Sequence, residues 1–312
     1  MSIQRCPNEI LDMVFQLLPF QSPINAPTVV LSTMLTCSRF CAIAKRHLLR
    51  VVCLQTAERV ILFAMYLTQL INTGGYDEAR HPIEHMAVLR NYESPQARPW
   101  QFQIEAAKEA ADILPFIIST VAPTLHSLVI FGYHSQYLPK WVKSLDISNI
   151  VQASVRFQNL KWLILLEQSI VMPGRKENSI HYCYPRLTSL YTHTGDVNRD
   201  VLASHTLRDL RLHMTECWAL SIPPIPEPQI KTITIDAPTY KSFMVGGYLT
   251  LEQYHMRIED YRTFAKSNSK SLESRVVIMN PSGAGVGSIL SAWRDIVQGG
   301  SGCWNKEWRP AA

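Results

Sequence analysis

Two pairs of soft ligands stand four residues apart, Cys37 with Cys41 and His81 with His85, the spacing that puts side chains on one face of a helix. Either pair could fill two corners of a tetrahedral metal site. Pro82 lies between the histidines, and no partner Cys or His stands at zinc spacing, so no metal centre is expected. Residues 275–280 (RVVIMN), followed by Gly283, Gly285 and Gly287, imitate a strand, a phosphate-cradling loop and a helix start. A dinucleotide fingerprint needs its third glycine where Ser288 stands, and a closing strand that the twenty-five residues after Gly287 cannot supply beside a helix. No cofactor is expected. His181, Cys183 and His193 read as strand and loop residues. The chain has no Gly-x-Ser-x-Gly elbow, Walker loop or His-Glu-x-x-His, so it is not expected to be an enzyme in itself. Arg39, Lys45, Arg46 and Arg50 make a basic helix face without interleaved aromatics; it reads as solvated, and no nucleic-acid partner is expected.

Composition sets the frame for these residues. A chain of 312 residues, 47% hydrophobic and 18% charged, has material for a packed core and reads as one large domain or a small module joined to a larger one. A net charge of +5 is too weak a field to imply nucleic acid or membrane. Glu9 and Asp12 interrupt the place where a signal peptide carries its apolar run, so secretion is not expected. The longest apolar stretch, residues 60–71, contains Gln69 and falls short of the ~20 residues a bilayer needs. It reads as a buried helix. Seven cysteines without a Cys-x-x-Cys pair, and no Asn-x-Ser/Thr acceptor, point to reduced thiols in the cytoplasm or nucleus.

Three short helices are expected at the N-terminus. Pro7 opens the first, Ile10, Leu11, Val14, Phe15 and Leu18 repeat at helical spacing, and Pro19 is expected to stop it. Thr28 is expected to cap the second, with Val30, Leu31, Met34 and Leu35 apolar, and Ser38 the third, with Phe40, Ile43, Ala44 and Leu48. Three helices this short cannot cover all these side chains among themselves. Something else must cover part of them.

These residues resemble an F-box, the adaptor-binding module of SCF-type ubiquitin ligases. Cys6-Pro7 and Glu9-Ile10 stand where that family opens with Leu-Pro and Glu-Ile, and Cys37-Ser38-Arg39-Phe40 through Leu49-Arg50 is similar to its third helix; the likeness covers residues 5–54. It implies docking on the ligase's adaptor subunit, and through it on a cullin, by Pro7, Glu9, Ile10, Leu11, Val14, Phe15, Leu31, Leu35 and Phe40.

Beyond residue 54, Leu-x-x-Leu-x-Leu-like segments recur: Ile83/Met86/Val88, Leu125/Leu128/Ile130, Leu160/Leu163/Leu165, Leu187/Leu190, Leu207/Leu210/Leu212 and Ile230/Ile233/Ile235. Their starts are 42, 35, 27, 20 and 23 residues apart, and the last three intervals suit leucine-rich repeats of ~20–29 residues. Each unit would give one short strand and a return, burying by stacking the leucines it cannot bury alone. Tyr133, Gln168, Gly195, Thr215 and Pro238 stand where a regular repeat has Asn, so the repeat is irregular. Helical returns are expected over 55–72, ended by Gly74-Gly75, and over 103–120 with Pro115 inside, and loops over 91–99, 173–179 and 221–228.

The tail, a helix over 288–297 running into Gly299, Gly300 and Gly302, is similar to those of fungal F-box proteins with degenerate leucine-rich repeats. Ile289, Leu290, Trp293, Ile296 and Val297 form its apolar stripe, and with Trp304 and Trp308 it is expected to cap the last strand. The expected fold is thus α/β, with a three-helix F-box over 1–54 and an irregular solenoid of parallel strands and helices over 55–312. The expected function is a ligase adaptor that holds an unidentified protein target on its repeats, without a membrane partner. The alternative is a structural or interaction module with the same fold that never joins a ligase.

Overall fold

The structure is a computed structural model and describes residues 6–21, 26–75, 77, 82–90, 100–132, 156–166, 184–193, 205–213, 230–236, 252, 255–256, 259, 275–279 and 286–302. His81, His181, Cys183, Gly283, Gly285, Trp304, Trp308 and the three expected loops lie outside those residues.

Three helices open the chain: α1 (Asn8–Gln21), α2 (Ala26–Met34) and α3 (Ser38–Ala44), followed by a 3-10 turn at Lys45–His47. Leu11 and Phe15, one helical turn apart, meet Val30, Phe40, Ile43 and Ala44 in a small core, with the Phe15 and Phe40 rings edge to face at 5.1 Å. Three boundaries differ from expectation. Pro19 sits inside the last turn of α1 and does not end it. Its ring removes only one hydrogen bond there and lies buried. The helix α2 begins at Ala26, with Pro27 in its first turn, where no backbone N–H is needed. The cap of α3 is Cys37 rather than Ser38: its sulfur accepts from the Phe40 N–H at 3.4 Å.

The next residues already belong to a sheet. Eight parallel strands lie side by side in chain order: β1 (Val51–Leu54), β2 (His85–Arg90), β3 (Ser127–Gly132), β4 (Trp162–Leu166), β5 (Ser189–His193), β6 (Asp209–His213), β7 (Thr232–Asp236) and β8 (Arg275–Met279). Strand β1 falls within the segment expected to belong to the helical module. Leu48 packs against both the helical core and the sheet core, so the two are continuous.

Parallel pairing sets equivalent residues of successive units in rows. On one face Val52, Met86, Leu128, Leu163, Leu190, Leu210 and Ile233 stand in register, all buried. The expected leucine segments supply this row. Helices α4 (Ala57–Asn72) and α5 (Trp100–Val121, Pro115 inside) cover its early part through Val60, Ala64, Leu67, Leu114, Ile117 and Val121. Thr56 caps α4 by accepting from the Arg59 N–H. Gly74, at φ +65°, turns the chain out of it.

The opposite face alternates residue by residue with the first, and its row is Cys53, Ala87, Val129, Ile164, Tyr191, Arg211 and Thr234. It changes character at β5. The apolar part is covered by the last helix, α6 (Val286–Val297), whose Ile289, Trp293 and Ile296 are buried against it. The Trp293 Nε1–H donates to Ser127 Oγ at 3.1 Å, across 166 residues of sequence. This corrects the expected cap on the last strand: α6 lies over β2 and β3. Val129, Phe131, Ile164 and Leu166 give it an apolar surface there, and burial favours the contact at roughly 25 cal/mol per Å². The Asp295 carboxylate accepts from the Gly302 N–H at 2.7 Å, tying the glycine turn back to α6.

A candidate docking surface on the helical module

Helix α1 carries two apolar stripes. Leu11 and Phe15 face the helical core. Ile10, Met13, Val14 and Leu17, at the i, i+3, i+4, i+7 spacing of one helix face, are exposed, Met13 to 62%. On α2 and just beyond it, Leu31 and Leu35 are also exposed, Leu35 to 87%. Exposed large apolar residues gathered on two packed helices are the mark of an interaction surface.

The nine residues expected to dock on an adaptor therefore divide. Ile10, Val14, Leu31 and Leu35 are exposed, as are Pro7 and Glu9 at the start of α1. Leu11, Phe15 and Phe40 are buried in the helical core and shape the surface from beneath. Met13 and Leu17 were missed, although their spacing from Ile10 and Val14 makes the outer stripe legible.

The basic residues that read as a solvated face are partly consumed within the fold. Arg39 donates to Asn8 Oδ1 at 2.8 Å and to the Cys6 carbonyl at 2.5 Å, holding the start of α1 against α3. Arg50 binds both Glu84 oxygens, at 2.6 and 2.7 Å, joining the module to the sheet. His47 is buried, with Nε2 3.1 Å from Asp12 and Nδ1 without a partner. Arg50, His47 and Asp12 line a cleft of about 1190 Å³ between the module and the end of α4, with Lys45, Tyr66 and Asp77. The Thr73 hydroxyl in this cleft donates to the Gln69 and Leu70 carbonyls.

Glu84, His85 and His126 offer ligand atoms within 4.8 Å of one another. The cation already on Glu84 is the Arg50 guanidinium, which a metal ion would have to displace or tolerate. Burial first, then the charges of His126 and Arg50, pushes His85 down to about 3, and its Nδ1 lies 2.8 Å from Ser127 Oγ. His85 begins strand β2, so the helical geometry considered for His81 and His85 does not form. Cys37 caps α3 and Cys41 follows within it. Burial pushes the Cys53 thiol up to about 11, so it stays protonated and a poor nucleophile. The glycine segment is not a compact strand, loop and helix: β8 is at one edge of the sheet, and α6 packs on β2 and β3 near the other.

On the second face of the sheet, Arg211 binds Asp236 through Nε at 2.7 Å and Nη2 at 2.6 Å. The Tyr191 hydroxyl donates to the same carboxylate at 2.7 Å, and the guanidinium lies 5.4 Å from the centre of the Tyr191 ring. All three side chains are fully buried. They lock β5, β6 and β7 together.

No family model matches the chain, and neither a curated protein nor a solved structure does. The fold itself defines a mixed α/β protein built on an all-parallel sheet. Among the described residues no helix is long and apolar enough to cross a membrane.

Proposed function

We propose that the chain is the substrate-recognition adaptor of an SCF-type cullin-RING ubiquitin ligase. In this reading residues 6–50 form an F-box and the sheet with its helices an irregular leucine-rich-repeat-like solenoid that holds a protein target. The supporting observation is the outer stripe of α1 with Leu31 and Leu35, an apolar surface that the module's own small core leaves uncovered. One strand per unit, with leucines in register, supports the solenoid. The chain supplies no catalytic group or cofactor here, and it works in the cytoplasm or nucleus, where its thiols stay reduced.

The test is co-purification of the full chain with the ligase adaptor subunit and cullin. Both are expected in stoichiometric amounts. Recovery of neither, from cells in which other F-box proteins capture both, would leave an interaction module of the same fold outside any ligase.

A further inference from the structure

Parallel strands align not only their own residues but also the residue just before each strand. Lys161 precedes β4, Thr188 β5, Arg208 β6 and Lys231 β7. Each is tied to its predecessor through the backbone: Thr188 N–H to the Lys161 carbonyl at 3.0 Å, Arg208 N–H to Thr188 at 2.8 Å, and Lys231 N–H to Arg208 at 2.7 Å. With strands about 4.8 Å apart, Lys161 and Lys231 are separated by roughly 14 Å along the edge of the sheet.

Lys161, Arg208 and Lys231 are exposed, and so is Arg186 in the turn before β5. Arg186 is held by Nη1 donating to Asn159 Oδ1 at 3.0 Å, and Asn159 Nδ2 in turn donates to the Pro123 carbonyl at 2.8 Å. Among the described residues no carboxylate forms an ion pair with these four cations. Asp209, one residue beyond Arg208 and half-buried, accepts from the Ser189 hydroxyl at 3.2 Å and also feels the charges of Arg208 and Lys231, so it offsets one of the four cations. At the other end of the same row Arg50 is neutralised by Glu84. Four cations against the one half-buried carboxylate of Asp209 leave a net positive edge from β4 to β7.

We infer that this edge docks an acidic segment of a protein target in extended form. An extended chain presents alternate side chains to one side every ~7 Å, so five residues with Asp or Glu at alternate positions span the roughly 14 Å from Lys161 to Lys231, with the long Arg208 side chain reaching the middle carboxylate. Opposed rows of charge steer encounter and fix register. A single-stranded nucleic acid is the weaker fit, because it needs aromatic platforms between the cations. Trp162, beside Lys161, is half-buried and already has the Lys161 ammonium 5.8 Å from its ring centre. That the segment belongs to a ligase target rests on the adaptor reading; the binding chemistry does not.

The experiment uses the full chain and a fluorescein-labelled ten-residue peptide of alternating Glu and Ser. Anisotropy is read at about 50 and about 300 mM NaCl, which differ in charge screening. Salt-sensitive binding is expected, weakened about tenfold or more in the triple variant Lys161→Glu, Arg208→Glu, Lys231→Glu, whose three substitutions are exposed and leave melting unchanged. The same triple variant should retain capture of the ligase adaptor, and Ile10→Asp with Val14→Asp should retain the peptide, so each reading fails separately. Failure of the native chain to bind the peptide, equal binding by the triple variant, or tighter binding of an oligothymidine of equal charge would overturn the inference.

Discussion

The sheet and the helical module treat apolar residues differently. Along the first face of the sheet every described leucine, isoleucine or valine of the row is buried, and the chain's own helices and neighbouring units cover it. In the module six side chains form the core, while six other large apolar ones, Ile10, Met13, Val14, Leu17, Leu31 and Leu35, remain exposed. The sheet rows are covered from within the chain, and exposed apolar side chains are found on helices: those six on the module, and Leu62, Met65, Tyr66, Ile71 and Phe116 on the outer sides of α4 and α5. Sequence apolarity alone does not separate buried from exposed positions: α1 and α4 each carry apolar residues on both sides and bury one of them.

The contrast can be broken in order of expected effect. Arg211→Met removes a buried cation from Asp236 and should cost about 3–5 kcal/mol, seen as a lower urea midpoint; replacing both partners by apolar residues should recover most of that loss. Leu163→Ala, in the middle of the buried row, should cost about 2–5 kcal/mol by the same measurement. Leu17→Ala, on the outer stripe, should change stability by less than about 0.5 kcal/mol despite removing the same side chain. Similar losses for both leucines would remove the distinction between the covered row and the exposed stripe.

A pH titration sharpens the sheet side. The unfolded chain protonates a histidine below about 6.5. Folded His85 resists protonation until about 3. Between those values the unfolded state binds more protons, so stability is full at neutral pH and falls as pH drops through the window. His85→Gln should flatten the acid limb of melting temperature against pH; an unchanged limb would place the acid sensitivity in other groups.

Much of the sheet was legible. Leucine segments at Leu125, Leu160, Leu187, Leu207 and Ile230 each precede a strand and enter the buried face, because a parallel repeat demands the same residue at the same place in each unit. Strand β1 was not legible: Val51, Val52, Cys53 and Leu54 are an unbroken apolar run directly after a helix, with no alternation to mark a strand. The place of α6 was hidden for another reason. Its stripe shows that it packs, but only the register shows that the apolar half of the second face lies over β1 to β4. Arg211 with Asp236, and the row Lys161, Arg208 and Lys231, are likewise pairings across strands that no local pattern announces. Among the docking residues, helical spacing placed Ile10 and Val14 together but did not say which of the two stripes of α1 would be turned inward.

If the outer stripe is a docking surface and not a misplaced core, the double variant Ile10→Asp, Val14→Asp separates binding from folding. Capture of purified ligase adaptor subunit and thermal melting should be measured on the same full-length protein. Capture is expected to be lost while the melting temperature stays within about 2 °C of the native chain, since both side chains are exposed. Capture equal to that of the native chain, or a collapse of the melting temperature, would contradict a docking surface.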